Sequence, residues 1–559
     1  MLTKKLTLTA LFGYLCCCSS TAQAPDSLLL RNYQFVKQSD PWFTLQNTAA
    51  LTRFATANIA EADLSLTKGN GGLTNFYESP NTLQAGAVVE AFYRLNRRTV
   101  VHGAISYDNY TGRDMTGSAF IHTLPATYSN IAERQLPFDI VEDSLTNPGR
   151  KHRDTYYLTG AVGFDLYRGI SIGARLDYIA ANYAKYKDLR HKNKLMDLKV
   201  SAGIYAPMAD WLSIGANYAY HRSTESVSFG TYGKSDKIYK SLIDYGAFTG
   251  LTEQFGNEGY TDKSREMPLF EDSHGGAFQI EVRPTASLAV FAGVTHSRGD
   301  GYYGRKSPYT ITYTGHKRHT TTVQGRLTYS PHAKADSYAA STSTSRFTLD
   351  AQYTNERLAA HAETYRDMTN ASSATYYEYY DPVETGDKQW DDIMLCATAQ
   401  LGIKGELPTW EITADYHWAE RKQVAYLFPF YRHQRLTTNV LTASATRNML
   451  FRRGVLSCSL TAGYQKGSGT PYEDYSFDTS GNSQQQIATM EAFLYREYQY
   501  LTATQYRLGA GVKYAFLFPG TQLKTHVRVS ADYRTATEVC PYSRGSSHTA
   551  LTVAMGCTF

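Results

Sequence analysis

The chain has 559 residues, 56 Lys and Arg against 51 Asp and Glu, and an aromatic set dominated by 45 Tyr. Charged residues are 19% of the total and mean hydropathy is −0.41, yet no run of 18 or more apolar residues occurs, which excludes a bundle of membrane-spanning helices. Abundant strand-forming aromatics and a small net charge exclude a disordered chain, leaving a large soluble β-protein or a transmembrane β-barrel.

Residues 1–22 read as a secretory signal peptide. Lys4 and Lys5 precede the apolar stretch Leu8 to Cys18, and Ser20 and Ala22 supply the small residues of a cleavage site. The Cys16-Cys17-Cys18 run resembles a lipoprotein signal, but Gly13-Tyr14-Leu15 lacks the small residue expected beside the cysteine. Residues 23–57 then form a segment ahead of the barrel, either a periplasmic tail or a short helical piece folded into the lumen. It is too short for the plug of a TonB-dependent receptor.

From residue 58 to residue 559 the pattern is one of alternation. In Leu523 to Arg534, Leu523, Val527, Val529, Ala531 and Tyr533 share one face. Lys524, His526, Arg528, Asp532 and Arg534 share the other. Similar faces recur at Leu83 to Leu95, Tyr156 to Leu166, Ile170 to Tyr178, Leu212 to Tyr220, Trp410 to Trp418 and Tyr506 to Tyr514. Glu90, Asp108, Arg175, Asp177, Lys199, Arg507 and Lys513 occupy the interleaved positions. Charges in mid-strand need a hydrated space, which a wide lumen supplies and a sandwich core does not. Short connections, such as Asn96-Arg97-Arg98 and Arg168-Gly169, alternate with long ones near 112–153, 230–273, 366–390 and 466–499. One connection near 330–345 is long where the pattern calls for a short one.

The expected fold is therefore all-β: a transmembrane antiparallel up-and-down barrel of about eighteen strands, within a range of roughly 14–18. An even count places both termini in the periplasm. The last strand, Leu551 to Phe559, is apolar at odd positions and ends in Phe. This resembles the terminal strand that the barrel-assembly machinery reads in bacterial outer-membrane proteins.

The stretch Ala180-Ala181-Asn182-Tyr183-Ala184-Lys185-Tyr186-Lys187-Asp188-Leu189-Arg190-His191-Lys192-Asn193 carries a further likeness, with the Tyr156 to Tyr178 hairpin and Asp197-Leu198-Lys199-Val200. Together they resemble an uncharacterised family of Bacteroidetes outer-membrane β-barrels. Asn47-Thr48-Ala49-Ala50-Leu51 and Ala60-Glu61-Ala62-Asp63-Leu64 belong to the same likeness. Asn47 to Leu51 also resembles the N-terminal Asn-Pro-Ala-Ala-Leu of long-chain fatty-acid channels. The resemblance implies a fold and a place in the envelope, and no catalytic residues.

No motif points to catalysis. Gly-x-Ser-x-Gly, His-Glu-x-x-His and P-loop patterns are absent, and Cys396, Cys458, Cys540 and Cys557 lack metal-site spacing. The three within strand patterns, Cys396, Cys458 and Cys557, read as lipid-facing or packed thiols. The glycines of Arg298 to Gly304 read as hairpin chemistry. No cofactor, metal or nucleic acid is expected. Candidate lumen-lining charges are Glu90, Asp108, Arg175, Asp177, Lys524, His526, Arg528 and Asp532. Lys187, Arg190, His191 and Lys192 read as a basic outer loop, either suited to lipopolysaccharide or an acidic ligand or, the plainer reading, solvated or folded into the lumen to brace the barrel. Two functions stay open: a channel or transporter-like barrel for a small solute, and a non-transporting scaffold, partner-binding or adhesion barrel.

Overall fold

A computed structural model describes residues 28–43, 47–125, 131–142, 148–231, 239–243, 251–255, 267–331, 344–426, 431–477, 491–518, 521, 523–538 and 544–559. The signal-peptide reading of residues 1–22 and Cys540 lie outside the described residues.

Eighteen antiparallel strands close into a barrel. In chain order they are β1 (Ile59–Asn70), β2 (Asn81–Arg94), β3 (Thr99–Met115), β4 (Gly149–Tyr167), β5 (Ile170–Lys185) and β6 (Arg190–Ala209). Then come β7 (Leu212–Gly230), β8 (Met267–Thr285), β9 (Leu288–Ser307), β10 (Thr310–Tyr329), β11 (Ser345–Ala362) and β12 (Val383–Leu401). The last six are β13 (Trp410–Ala425), β14 (Arg432–Phe451), β15 (Gly454–Gly469), β16 (Gln505–Leu517), β17 (Lys524–Ala536) and β18 (Ser547–Thr558). Each pairs with its sequence neighbours, and β1 pairs with β18 from Glu61↔Thr558 to Asn70↔Thr549. Phe559 and Ala60 exchange backbone hydrogen bonds of 3.0 and 2.8 Å, so the barrel begins and ends at one rim.

That rim carries the tight connections, the longer β10–β11 and β12–β13 connections apart. The β4–β5 turn needs only Arg168 and Gly169, both at positive φ (51° and 81°), the two-residue geometry that suits strand twist and that glycine tolerates best. The opposite rim carries the long connections, except for the four-residue β5–β6 turn and the two-residue β9–β10 turn. The strands themselves run up to 20 residues, so the long loops begin later and end earlier than alternation alone suggested. The glycine-rich Arg298 to Gly304 stretch is a case in point: it lies inside β9 rather than in a hairpin turn. Gly304, at φ 120°, sits at a register shift against β10.

The outward faces are the apolar ones. On β16, Leu508 and Val512 are exposed between Tyr506 and Tyr514. Eight residues of strand span roughly 26 Å, somewhat less after tilt, which matches an apolar belt of about 25 Å flanked by aromatic girdles. Cys458 and Cys557 share this outward parity. Cys396 does not: it projects inward, its Sγ 3.8 Å from Thr398 Oγ1.

At the long-loop rim the inward faces turn apolar and receive the loops. Ala119, Phe120, Leu136, Phe138 and Ile140 of the β3–β4 connection pack with Val227, Phe229, Met267, Leu269 and Tyr303. Helix α2 (Glu491–Thr502), from the β15–β16 connection, joins Phe493 and Leu494 to Phe76, Val141 and Ala425. A cation on the outward face of mid-β16 meets lipid. Val512→Arg is expected to lower the free energy of folding into lipid vesicles by about 2–4 kcal/mol, read by denaturant titration. Thr461→Lys, on the inward face of β15, is expected to leave it nearly unchanged.

Candidate functional site

The lumen at the short-turn rim is divided between a filled side and an open side. The filled side holds residues 28–43 and 47–57, described parts of the 23–57 segment whose placement the sequence left open. Helix α1 (Tyr33–Gln38) is capped by Asn32, whose Oδ1 accepts from Phe35 N at 3.2 Å. Two 3-10 turns follow, Pro41–Phe43 and Thr48–Arg53. Tyr33, Trp42, Phe54 and Phe92 are essentially sealed from solvent, and Tyr33 and Phe54 stack on Phe92 of β2.

Polar contacts hold this plug at defined points. Asn47 Nδ2 donates to Ile204 O (3.1 Å) and Gln279 Oε1 (3.0 Å), and its Oδ1 accepts from Ala49 N (3.3 Å). Trp42 Nε1 donates to Glu281 Oε2 at 2.8 Å. Arg53 pairs with Asp40 and Glu281, both at 2.8 Å, and donates to Tyr205 OH. Burial works against the Arg53 charge, but the two carboxylates more than offset it and hold the guanidinium protonated. The barrel also captures plug carbonyls: Arg94 takes Thr52 O (2.8 Å), Arg326 takes Gln38 O (3.1 Å) and Lys524 takes Arg31 O (2.7 Å).

Glycines let the plug backbone reach the wall. Gly163, Gly173 and Gly203 stand directly opposite one another on β4, β5 and β6, and Gly215 follows on β7. A Cβ on Gly173 would lie 2.3 Å from Ala49 N, and one on Gly203 would lie 2.4 Å from Asn47 Oδ1. Sequence reasoning missed this row. The signal was present: an apolar–Gly–apolar triplet repeats at Val162-Gly163-Phe164, Ile172-Gly173-Ala174, Ala202-Gly203-Ile204 and Ile214-Gly215-Ala216, always with glycine on the lumen face.

The open side is lined by β14 to β18. Its inward positions are small: Ser444 and Thr446 on β14, Ser457, Ser459 and Thr461 on β15, Gly509 and Gly511 on β16. They leave a cavity of about 250 Å³ between this wall and the Arg31–Gln34 turn of the plug. Beside it, in the β12–β13 turn, Glu406 accepts from Asn32 N at 2.8 Å and pairs with Arg31 at 3.2 Å. Burial keeps its carboxyl above the usual range despite Arg31.

The eight candidate lumen charges all project inward, but in different settings. Glu90 is under the plug, bonded to His102 (2.8 Å) and Lys37 (3.1 Å), so no solute reaches it. Asp108 takes Gln84 (2.5 Å) and Arg153 (3.5 Å). Arg175 and Asp177 pair with each other at 2.7 and 2.9 Å. Asp532 pairs with Arg507 at 2.6 Å. Lys524, His526 and Arg528 line the cavity, with His526 2.9 Å from Asp63. Lys513 belongs with them. Its charge was legible, but its place across from Arg528 depends on a register that one strand alone does not reveal.

The basic outer loop is corrected. The β5–β6 connection is only residues 186–189, and β6 begins at Arg190. Pleating splits the cations: Lys192 is exposed, whereas His191 is fully buried on the lumen side against Asn193 and Tyr183. Lys187 donates to Pro148 O at 3.2 Å and Arg190 pairs with Asp188 at 2.8 Å. They form no single basic patch. Among the described residues no group of three His, Cys, Asp or Glu is placed to hold a metal ion.

Residues 48–559 match a family described as of unknown function, DUF6850. No curated protein matches. Solved structures similar in fold include the outer membrane transporter YddB from Escherichia coli, at 8% identity and TM-score 0.40, over 90% of this chain and 81% of that one. The FrpB iron transporter from Neisseria meningitidis is another, at 8% identity and TM-score 0.39, over 92% and 83%.

Two outcomes test these closures. Gly173→Val is expected to dislodge residues 47–53 and expose the N-terminal segment to protease, while the barrel keeps its heat-dependent gel shift. Gly160→Val, where a Cβ meets nothing within 4 Å, is the neutral control. At the other rim, burial pushes the Glu497 carboxyl up, but its two-point pairing with Arg421 (3.0 and 2.6 Å) prevails and holds it below the usual range. A depressed carboxylate stabilises the fold above its unfolded pKa, and that contribution is lost as pH falls through the folded value. Amide exchange in 491–502, corrected for intrinsic rate, is therefore expected to accelerate in acid below about pH 4, the ordinary range of a glutamate. Glu497→Gln is expected to show the accelerated rate at neutral pH.

Proposed function

Taking as premise that the chain belongs to the DUF6850 family, matched over residues 48–559, we propose that it is an outer-membrane passage for a small hydrophilic solute, held closed in this conformation. The observation that carries this reading is the division of the lumen. A barrel of 16–18 strands is wide enough for an aqueous channel. Here one side is filled by a plug anchored through removable polar contacts, and the other side is a water-compatible wall of Ser, Thr and Gly. A purely structural barrel has no need of such a wall, since bulky side chains would fill it with better packing.

In this reading the apolar belt sits in outer-membrane lipid, with lipopolysaccharide against the long-loop rim. The short-turn rim faces the periplasm. Export through the residue 1–22 signal peptide and recognition of the Phe559-terminated strand by the barrel-assembly machinery bring it there. A second reading, an envelope scaffold or surface-loop adhesion barrel binding another envelope protein, is favoured by one feature. The hairpin formed by Tyr365–Thr369 and Thr375–Tyr379 stands against the β9–β10 turn with Tyr365 and Tyr380 exposed.

Planar-bilayer recordings of the refolded chain distinguish the two. The wild type is expected to show small or infrequent openings. Asn47→Ala with Arg53→Ala removes the plug's main polar anchors, each worth about 1–3 kcal/mol when buried partners are left unpaired, and is expected to give larger, longer openings. A folded double variant that conducts nothing and passes no solute into vesicles would overturn the passage reading in favour of the scaffold.

A further inference from the structure

We propose that the inward face of β16 and β17 is a binding wall for a small oxyanion, a carboxylate or phosphate group, centred on Lys513 and Arg528. This deepens the passage reading and rests on it for the solute's route, though the binding site itself does not.

The register carries the argument. Lys513 and Arg528 are directly opposite each other across the β16–β17 pair, and both project into the cavity. Directly opposed like charges destabilise a sheet pair, because their Cβ atoms are only about 5 Å apart. Such a pair persists where something else rewards it. Asp63 answers only in part: it already serves His526 at 2.9 Å, and it stands 3.8 Å from Arg528, beyond hydrogen-bond reach. Lys513 has neither a hydrogen bond nor an ion pair among the described residues. Arg528 keeps nearly half of its side chain exposed to the cavity.

The surroundings agree. Arg31, itself paired with Glu406 at 3.2 Å, and Lys524 stand at the plug end, so the lining holds four cations against two carboxylates, Glu61 and Glu411. Glu411 is occupied by Gln400 Nε2 at 2.8 Å. Along the wall toward the long-loop rim, Arg507 and Arg534 form a second directly opposed cationic pair. Asp532 pairs with Arg507, and Arg534 donates to Tyr500 OH at 3.0 Å. Between the two cationic steps the inward residues are Gly509, Gly511, Ser530 and Asp532, the last held by Arg507, and the first three are small enough to leave a path for a hydrated anion. A guanidinium and an ammonium converging on one point suit an oxyanion: the first offers a planar fork, the second a rotatable point charge.

The test is a bilayer recording of the full chain under a KCl gradient, with inorganic phosphate as the probe. Wild type is expected to reverse at a potential favouring chloride over potassium, and millimolar phosphate is expected to reduce the chloride current. Lys513→Gln and Arg528→Gln, made separately, are each expected to weaken both effects, with a loss of selectivity toward an order of magnitude in the double variant. Lys513→Arg is expected to restore them. Conduction without anion preference, or a preference and phosphate block that survive both glutamine variants, would overturn the binding wall while leaving the passage standing. Where no variant conducts, the passage reading falls. The wall is then judged by whether phosphate raises the unfolding temperature of the detergent-solubilised wild type but not of Lys513→Gln. No such rise would overturn it.

Discussion

Everything in this molecule follows from the need to pair backbone groups where there is no water. A strand in a bilayer leaves its N–H and C=O groups without partners unless another strand takes them, and a sheet escapes that penalty only by closing on itself. The closing contact here is the β1–β18 ladder, ten residue pairs long from Glu61↔Thr558 to Asn70↔Thr549. The exchange between Ala60 and Phe559 extends it to the last residue. The side chains reinforce the seam from within, since Asp63 of β1 meets His526 of β17 just inside β18. Closure also makes the inner and outer faces chemically different places, so each strand must alternate.

Closure at eighteen strands creates a second problem, which is the space inside. The chain answers it unevenly. Plug residues 28–43 and 47–57 fill the side of β2 to β9, with the Asn47 to Leu51 turn laid on the sheet itself. A helical backbone approaches a sheet that closely only where side chains are missing, and three glycines in direct register supply the gap. The plug's hydrogen-bonding groups then become reachable. Asn47 bridges β6 and β8, and Glu281 collects both Trp42 and Arg53. Apolar packing on Phe92, Val100 and Ala161 adds to these polar contacts, while the barrel's own ladders run between its strands.

Much of this was legible before any coordinates. The alternation at Leu523 to Arg534 follows from pleating alone, and so do the even strand count and the inward direction of Glu90, Arg175 and His526. What the pattern does not carry is any relation between strands distant in sequence. Lys513 and Arg528 each read as a lumen charge, but only register makes them neighbours. The basic stretch at Lys187 to Lys192 misled for the opposite reason. Nearness in sequence suggested one patch, while a four-residue turn and the pleat sent its members to opposite faces. Gly301 and Gly304 looked like turn residues because glycine is the usual sign of a turn. Here Gly301 instead makes room for the His316 ring across the β9–β10 pair.

The pairing of charges follows the filling of the lumen. Under the plug, carboxylates and cations are paired: Glu90 has His102 and Lys37, Arg53 has Asp40 and Glu281. That is what burial demands, since an ion in a dry interior without a counter-charge costs several kcal/mol. On the β14 to β18 side the rule relaxes, because an open cavity lies there and leaves Arg528 nearly half exposed. Lys513 and Arg528 face each other there across an open cavity, where solvent can screen their repulsion. The same residues would be untenable on β5, where the plug excludes water and Arg175 is locked against Asp177. Among the described residues, electrostatic freedom is greatest on the wall that the plug leaves open.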